Sequence, residues 1–171
     1  MPDGFEQHPT PNFVPGRDGH TPHAIVVHTT VGSWAGTLDW FRRPESRVSA
    51  HYLVGLDGCV ARLVAEEDTA RHAGRVLEPT ARLIRGSDVN PNLITVGIEF
   101  EDGGKPLDAV RPAAQYDSGA ALIAAIAARW EIPLDRDHVI AHHEIFAAKE
   151  CPGNLDVERL VAEARALLAR S

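Results

Sequence analysis

The stretch "HAIVVHTT", residues 23–30, combines an apolar run with polar residues directly after it. Its apolar run is short and mostly β-branched, a pattern that predicts a buried strand. His28 follows the run directly, and Thr29 and Thr30 come next. A polar side chain at the end of a buried strand lies where the core of an α/β fold opens to a cleft. The stretch therefore predicts a buried strand that places His28 at a cleft.

Further strands and helices follow along the chain. Ser33 and Asp156 are predicted helix N-caps, and Asp57-Gly58 is a predicted turn between two strands. The other predicted strands lie within residues 49–64, 93–101 and 138–145, and the predicted helices span residues 34–43, 113–130 and 155–170. Strands interleaved with helices predict one α/β domain around a mostly buried sheet.

Two segments carry no strong pattern. Residues 1–22 are rich in Pro, Gly and Asp, and we expect an irregular N-terminal arm there. Residues 65–92 are polar and broken by Gly and Pro, which predicts a long loop. No internal repeat or linker is visible, so residues 1–171 are predicted to form a single domain.

Composition excludes several classes of function. The net charge of −7 gives no reason to expect binding to nucleic acid, which requires a basic face. No window approaches the ~20 apolar residues of a membrane span, so we expect no membrane insertion. The N-terminus lacks the apolar core of a signal peptide, which indicates synthesis in the cytoplasm. Nine histidines is a high count for 171 residues and favours metal or proton chemistry.

The stretch "AHHEIFAAKECPG", residues 141–153, concentrates chemically active side chains. Zinc binds His nitrogen and Cys sulfur, and a catalytic zinc site has three protein ligands and one open position. His142 and Cys151 are nine positions apart, and His28 is the best candidate for a third ligand. This spacing alone is not specific, because a lone His at a strand end is often structural and a lone Cys is often a small core residue.

Six segments together identify a family resemblance. In order they are "PNFVPGR", "AIVVHTT", "VSAHYLVGLDG", "RHAG", "NLITVGIEFE" and "AHHEIFAAKECPG", and they extend over residues 11–153. The chain resembles the zinc-dependent N-acetylmuramoyl-L-alanine amidases, the type shared by phage endolysins, bacterial muropeptide amidases and peptidoglycan-recognition proteins. The resemblance implies a single α/β domain with a central mixed β-sheet flanked by helices.

The resemblance also implies the catalytic residues. His28, His142 and Cys151 match the zinc ligands, with His143 as the alternative to His142. Glu99 matches the general base, which takes a proton from water and passes it to the leaving amine. Lys149 matches the lysine that faces the scissile carbonyl and stabilises the oxyanion.

Three further residues are predicted to bind substrate: His51, His72 and Asn92. For His51, an anchoring role in its strand is an equal alternative. His72 is expected at the rim of the site, with Asn92 holding that rim. Arg71 departs from the family, which often has Trp before this His, and the change is expected to affect substrate contacts.

The implied activity is zinc-dependent hydrolysis of the amide bond between N-acetylmuramic acid and the L-alanine of the stem peptide in bacterial peptidoglycan. "PNFVPGR" and "WFRRP" favour a phage or prophage endolysin, which acts on the cell wall after release. The alternatives are a non-catalytic peptidoglycan-binding protein and a cytoplasmic muropeptide-recycling amidase. The expected partners are peptidoglycan or muropeptides, the expected cofactor is Zn²⁺, and the expected state is a monomer.

Overall fold

The structure, a computed structural model, describes residues 5–170. Its strands are Glu6–Gln7 (β1), Phe13–Val14 (β2), Ala24–Thr29 (β3), Tyr52–Val54 (β4), Val60–Arg62 (β5), Thr69–Ala70 (β6), Thr95–Phe100 (β7) and Val139–Ala141 (β8). Its α-helices are Trp34–Arg42 (α1), Pro91–Ile94 (α2), Ala113–Trp130 (α3) and Val157–Leu168 (α4), and short 3-10 helices cover Pro44–Ser46 and His142–Glu144.

A six-stranded sheet with the order β1-β5-β4-β7-β3-β8 forms the centre of the domain. The β4–β5 pair is antiparallel, and every other neighbouring pair in this sheet is parallel. Strands β2 and β6 form a separate antiparallel pair. The prediction of an α/β domain with a central mixed sheet is confirmed.

The two faces of the sheet are covered differently. Ile25 and Val27 of β3 pack in one apolar cluster with residues of α3 and α4. Val26, between them, belongs to a second cluster made with the loops of the opposite face. This alternation follows from the two-residue period of a strand. Helix α3 approaches β7 so closely at Gly119 that a Cβ there would lie 2.5 Å from the Phe100 ring.

The register between β3 and β7 determines where the polar residues lie. The strands run parallel, and His28 is the Cα partner of Glu99. Ile98 and Phe100 pack in the α3–α4 cluster, so Glu99 faces the opposite side, as does His28 one position after Val27. The two side chains are therefore neighbours on the loop-covered face, at the carboxyl ends of two central strands.

Most predicted elements are confirmed. Helix α3 has its predicted span, and Ser33 and Asp156 are the side-chain N-caps of α1 and α4. The strand predicted over residues 93–101 begins later, at Thr95, because Asn90 caps a helical turn with Pro91 at its first position. Local helix-start signals outweigh the apolar run there.

The segment predicted as an irregular arm is partly ordered into strands. β1 pairs with β5 and β2 with β6, so distant backbone partners impose structure on residues with weak local preference. The same β2–β6 pair places a short strand inside the predicted long loop. Residues 1–4 of the arm lie outside the described residues. Among residues 5–170, no helix has the length and apolar character needed to cross a bilayer.

Arg17 ties the arm to the domain. Its side chain is 5% exposed. Its Nη1 donates to the carbonyl oxygens of Asn92, Leu93 and Thr95 at 3.0–3.1 Å, and its Nε donates to that of Glu66 at 2.6 Å. Burial lowers the pKa of Arg17 to about 10, so the group stays charged at neutral pH. The "PGR" segment is therefore explained by packing.

We expect Arg17→Ala to lower the free energy of unfolding by about 3 kcal/mol, because it leaves buried carbonyl oxygens without their charged donor. Chemical denaturation of the variant and the parent measures the difference. Arg85→Ala is the matched control, since Arg85 is an exposed arginine of the adjacent loop. A change for Arg17→Ala as small as that of the control, within about 0.5 kcal/mol, would contradict the anchoring role.

Candidate functional site

A pocket of about 520 Å³ opens at the carboxyl ends of β3 and β7. The structure brings six of the predicted site residues to its walls: His28, His72, Glu99, His142, Lys149 and Cys151. They come from strands β3 and β7, from the loop after β6 and from the segment after β8. The other two predicted residues, His51 and Asn92, do not line this pocket.

His28, His142 and Cys151 form a group that could hold a metal ion. One ligand atom from each lies within 4.8 Å of the others. The Cys151 Sγ is 3.8 Å from His28 Nδ1, and it accepts a hydrogen bond from the Thr29 backbone N–H at 3.2 Å. The group therefore joins the end of β3 to the segment after β8.

Hydrogen bonds orient the two histidines of this candidate group. His142 Nε2 lies 3.1 Å from the Ala73 carbonyl oxygen, which can only accept, so Nε2 carries the proton and Nδ1 keeps its lone pair. His28 Nε2 bonds to His72 Nδ1 at 3.0 Å, which leaves His28 Nδ1 facing Cys151. Burial lowers the pKa of both ligand histidines, so their neutral, metal-binding form is favoured.

His143 lies outside this group. Its side chain is exposed, and its Nδ1 is 3.1 Å from the Cys151 carbonyl oxygen. Residues 142–144 form a 3-10 turn directly after β8, which directs the first histidine of the pair inward and the second to the surface. Of the two alternatives left open by the sequence, the structure places His142 beside His28 and Cys151.

Glu99 offers an unpaired carboxyl group. Its Oε2 atom is buried and has no hydrogen-bond partner among the described residues. Burial, with a smaller contribution from Asp102, raises the pKa of Glu99 to about 8. An acid with a pKa near neutrality in a pocket can both accept and donate a proton at working pH. A cation bound beside it would favour the ionised form.

Lys149 lies at the exposed edge of the same pocket. Its ammonium is 5.7 Å from the centroid of the Phe146 ring. Its positive charge contributes, after burial, to the lowered pKa of His28 and His142. An ammonium group there can face a substrate held over the three candidate ligands.

For His51, the structure favours the anchoring alternative over substrate binding. The side chain is 0% exposed. Its Nδ1 accepts a hydrogen bond from the Gly97 backbone N–H at 2.9 Å, and its Nε2 lies 3.2 Å from the Asp68 carbonyl oxygen. His51 therefore links its own segment to β7 and to the loop before β6, which is the anchoring alternative.

The structure places His72 at the rim of the pocket, with Asn92 holding that rim, as expected, and the hydrogen-bonding atoms described for both residues face the protein. The His72 ring borders the pocket, but Nδ1 bonds to His28 and Nε2 lies 3.2 Å from the Thr95 hydroxyl. Neither ring nitrogen is free for a substrate. Asn92 Oδ1 accepts from the backbone N–H groups of His72 and Ala73 at 3.0 and 2.9 Å. Asn92 thus holds the loop that carries His72.

Sequence reasoning missed the residues that shape the pocket's lip. Asp102 is buried, and it accepts hydrogen bonds from the Thr29 hydroxyl and from the backbone N–H groups of Val31 and Gly32 at 2.7–2.9 Å. Val31 is held at a φ of 53°, a strained conformation for a β-branched residue. The acidic end of the β7 stretch, "EFED", was the available signal for Asp102.

The pocket's outer wall is apolar and aromatic, which the sequence also did not indicate. Trp40 is 50% exposed and Val48 38% exposed, and both line the pocket. Arg71 lines it as well, with an exposed side chain. These residues offer an apolar surface and a cation to a substrate.

Comparison with known proteins identifies the family. A family model for N-acetylmuramoyl-L-alanine amidases matches residues 18–154. N-acetylmuramoyl-L-alanine amidase A of Achromobacter lyticus is 36% identical over 108 residues, which are 62% of this chain and 51% of that protein. The chain thus spans about half the length of this curated relative.

Solved structures share the fold. A crystal structure of an AmpD derivative has a TM-score of 0.70 at 24% identity, covering 95% of this chain and 96% of that one. A mutant endolysin from Bacillus subtilis has a TM-score of 0.69 at 22% identity, covering 94% and 97%. The amidase AmiD from E. coli, in complex with its substrate, has a TM-score of 0.70 at 26% identity, covering 83% and 57%. Together with the family match, these findings confirm the resemblance seen in the sequence: the chain belongs to the N-acetylmuramoyl-L-alanine amidase family.

Proposed function

We propose that this protein hydrolyses the amide bond between the lactyl group of N-acetylmuramic acid and the L-alanine of the stem peptide in bacterial peptidoglycan, with Zn²⁺ as cofactor. The observation that carries the proposal is the buried Oε2 atom of Glu99, which has no hydrogen-bond partner among the described residues and lies in the same pocket as the His28–His142–Cys151 group. The likeness to AmiD supports the substrate, since that enzyme was solved with anhydro-N-acetylmuramic acid-L-Ala-D-γ-Glu-L-Lys.

The donor set fits zinc. Two imidazole nitrogens and a thiolate are typical zinc ligands, and three protein ligands leave a fourth position open. Tetrahedral zinc would separate a ligand N from a ligand S by about 3.5 Å, and the His28 Nδ1–Cys151 Sγ distance is 3.8 Å. Burial raises the pKa of the Cys151 thiol well above its usual range, and a divalent cation reverses that shift by binding the thiolate. When bound, zinc supplies Lewis acidity that lowers the pKa of water to about 7 and polarises a carbonyl.

Glu99 would move the proton in this reaction. The carboxylate accepts a proton from the attacking water as the new C–O bond forms. It then delivers that proton to the alanine nitrogen as the C–N bond breaks, so the amine leaves neutral. Its free Oε2 atom and its raised pKa suit both transfers. Lys149 would place its positive charge near the carbonyl oxygen, where negative charge develops.

The role in the cell follows from which substrate is cut. We propose an endolysin that acts as a monomer on the cell wall after release from the cytoplasm, supported by the phage-like segments of the sequence and by the fold shared with the Bacillus subtilis endolysin. A muropeptide-recycling amidase is the second candidate, because AmiD was solved with a muropeptide, anhydro-N-acetylmuramic acid-L-Ala-D-γ-Glu-L-Lys. A non-catalytic wall-binding protein would not need the unpaired carboxyl of Glu99.

Digestion of two substrates separates these roles. Intact cell walls and soluble muropeptides are incubated with the protein, and mass spectrometry identifies the products. The proposal expects free stem peptides beginning with L-alanine, with release from intact walls favoured for an endolysin. Cleavage of soluble muropeptides alone would assign the recycling role, and no cleavage of either would contradict the proposed activity.

We predict about one zinc per chain, bound by His28, His142 and Cys151 as zinc's three usual donors. Elemental analysis should find the metal in the parent, and chelation should abolish activity. His28→Ala should lose the metal, whereas His143→Ala is the control that should keep it, because His143 is exposed and outside the group. A full equivalent of zinc in His28→Ala would show that the ligand assignment is wrong.

Glu99→Gln should keep zinc and the fold but lose most of the turnover, because a neutral amide cannot accept the proton. Zinc content, circular dichroism and product release from cell walls are measured together. Glu45→Gln, which alters an exposed carboxylate away from the pocket, is the control. Activity near the parent value would assign the proton transfer to another group.

Lys149→Ala should leave zinc content and KM nearly unchanged and lower turnover by about 10²-fold, as loss of an oxyanion donor does. Lys149→Arg should restore only part of the rate, since the guanidinium is larger and its charge is spread over a plane. The control is Lys105→Ala, which alters the chain's other lysine, exposed and outside the pocket. Turnover of Lys149→Ala within threefold of the parent would remove Lys149 from the mechanism.

A further inference from the structure

We infer that His72 is a positioning residue: it accepts the Nε2–H of His28 and thereby determines that His28 presents Nδ1 to the metal. The inference rests on the zinc site proposed above and adds a residue to its supporting structure. It also replaces the predicted substrate-binding role of His72 with a role in shaping the ligand group.

A directional chain of hydrogen bonds carries this inference. The Thr95 hydroxyl donates to the Pro91 carbonyl oxygen at 2.7 Å. A hydroxyl has a single hydrogen, so Thr95 can only accept from His72, whose Nε2 lies 3.2 Å away. In a neutral ring, Nε2 then carries the proton and Nδ1 has the lone pair.

The tautomer of His72 in turn determines the tautomer of His28. His72 Nδ1 lies 3.0 Å from His28 Nε2, so the lone pair on His72 requires the proton to be on His28 Nε2. The remaining nitrogen of His28, Nδ1, is then a lone-pair donor, and it is the atom 3.8 Å from Cys151 Sγ. The Pro91 carbonyl oxygen of α2 thus determines, through Thr95 and His72, that Nδ1 of His28 faces the candidate metal.

The His72 ring has little freedom to turn away. It lies against the backbone of β7 at Gly97, where an added Cβ would be 2.3 Å from the ring's Cγ. Its own backbone N–H is held by Asn92 Oδ1 at 3.0 Å. Gly97 therefore provides the space for the ring two residues before Glu99, which accounts for glycine in the "VGIE" segment.

Other roles for His72 fit the geometry less well. Both ring nitrogens are bonded within the protein, so neither is available to a substrate. The group of three donors that could hold a metal does not include His72. A partner that orients a ligand histidine typically contributes 10-fold to 100-fold to metal affinity, roughly, so the effect is measurable with the metal alone.

The first test measures the zinc dissociation constant of full-length variants by competition with a chelator. His72→Leu should bind zinc about 10-fold to 100-fold more weakly than the parent. His72→Asn should recover most of that loss, because its Oδ1 can accept from His28 near the position of Nδ1. Thr95→Val, which removes the acceptor for His72 Nε2 together with the hydrogen bond to the Pro91 carbonyl oxygen but keeps His72 Nδ1, should weaken binding less than His72→Leu does.

Controls separate positioning from general stability. Tyr52→Phe alters a buried side chain of the α3–α4 cluster, on the opposite face of the sheet, whose hydroxyl donates to Glu66 at 2.6 Å. It should lower the melting temperature without changing zinc affinity. If His72→Leu does not fold, His72→Asn and Thr95→Val still give the comparison. Zinc affinity of folded His72→Leu within threefold of the parent, or equal losses in His72→Leu and His72→Asn, would overturn the inference.

A second measurement does not depend on the zinc site. Long-range ¹H–¹⁵N NMR of the zinc-free full-length protein should show His28 and His72 both protonated at Nε2. In His72→Leu, His28 should become a mixture of tautomers. Protonation of His28 at Nδ1 in the parent would overturn the inference. A parent that shows the expected tautomers but binds no zinc would instead contradict the proposed cofactor.

Discussion

The pairing of β3 with β7 is the constraint on which the rest of the site depends. Because the strands run parallel and His28 is opposite Glu99, a candidate metal ligand and a candidate base leave the sheet at the same level and on the same face. A slip of one residue in either strand would turn one of these side chains toward α3 and α4. Val27 and Ile98 alternate with them along the two strands. These apolar residues pack in the α3–α4 cluster and hold this register.

Around that pair, polar groups are buried, and some of their atoms have no hydrogen-bond partner among the described residues. The Oε2 atom of Glu99 is buried and has no hydrogen-bond partner among residues 5–170, and burial disfavours the thiolate form of Cys151. A divalent cation bound beside these groups would stabilise both the Glu99 carboxylate and the Cys151 thiolate. By contrast, two neighbouring side chains are hydrogen-bonded to the backbone around them: Asp102 holds the lip, and Asn92 holds the His72 loop. A rigid, satisfied frame around a few unsatisfied groups is the arrangement expected of a catalytic site.

Local signals in the sequence explain why much of the fold could be predicted. Capping by Ser33 and Asp156 and the β-branched run before His28 act over a few residues, so they can be read directly from the chain. The candidate ligands came from motif resemblance, since the distance between residues 28 and 151 is created only by folding. The sequence left two roles open for His51, because its position inside the core depends on the partner Gly97, which no local pattern reveals. The strands of the arm were missed for the same reason.

The buried guanidinium of Arg17 couples the N-terminal arm to the segments that support the candidate metal site. One side chain bonds carbonyls from the loop at Glu66, from α2 and from the first residue of β7. Those segments also carry Asn92 and Thr95, which hold the His72 loop. The arm, α2 and that loop therefore belong to one cooperative unit of local unfolding. A protease that cut the arm would release the guanidinium and loosen the ligand group from a distance, without touching any residue of the pocket.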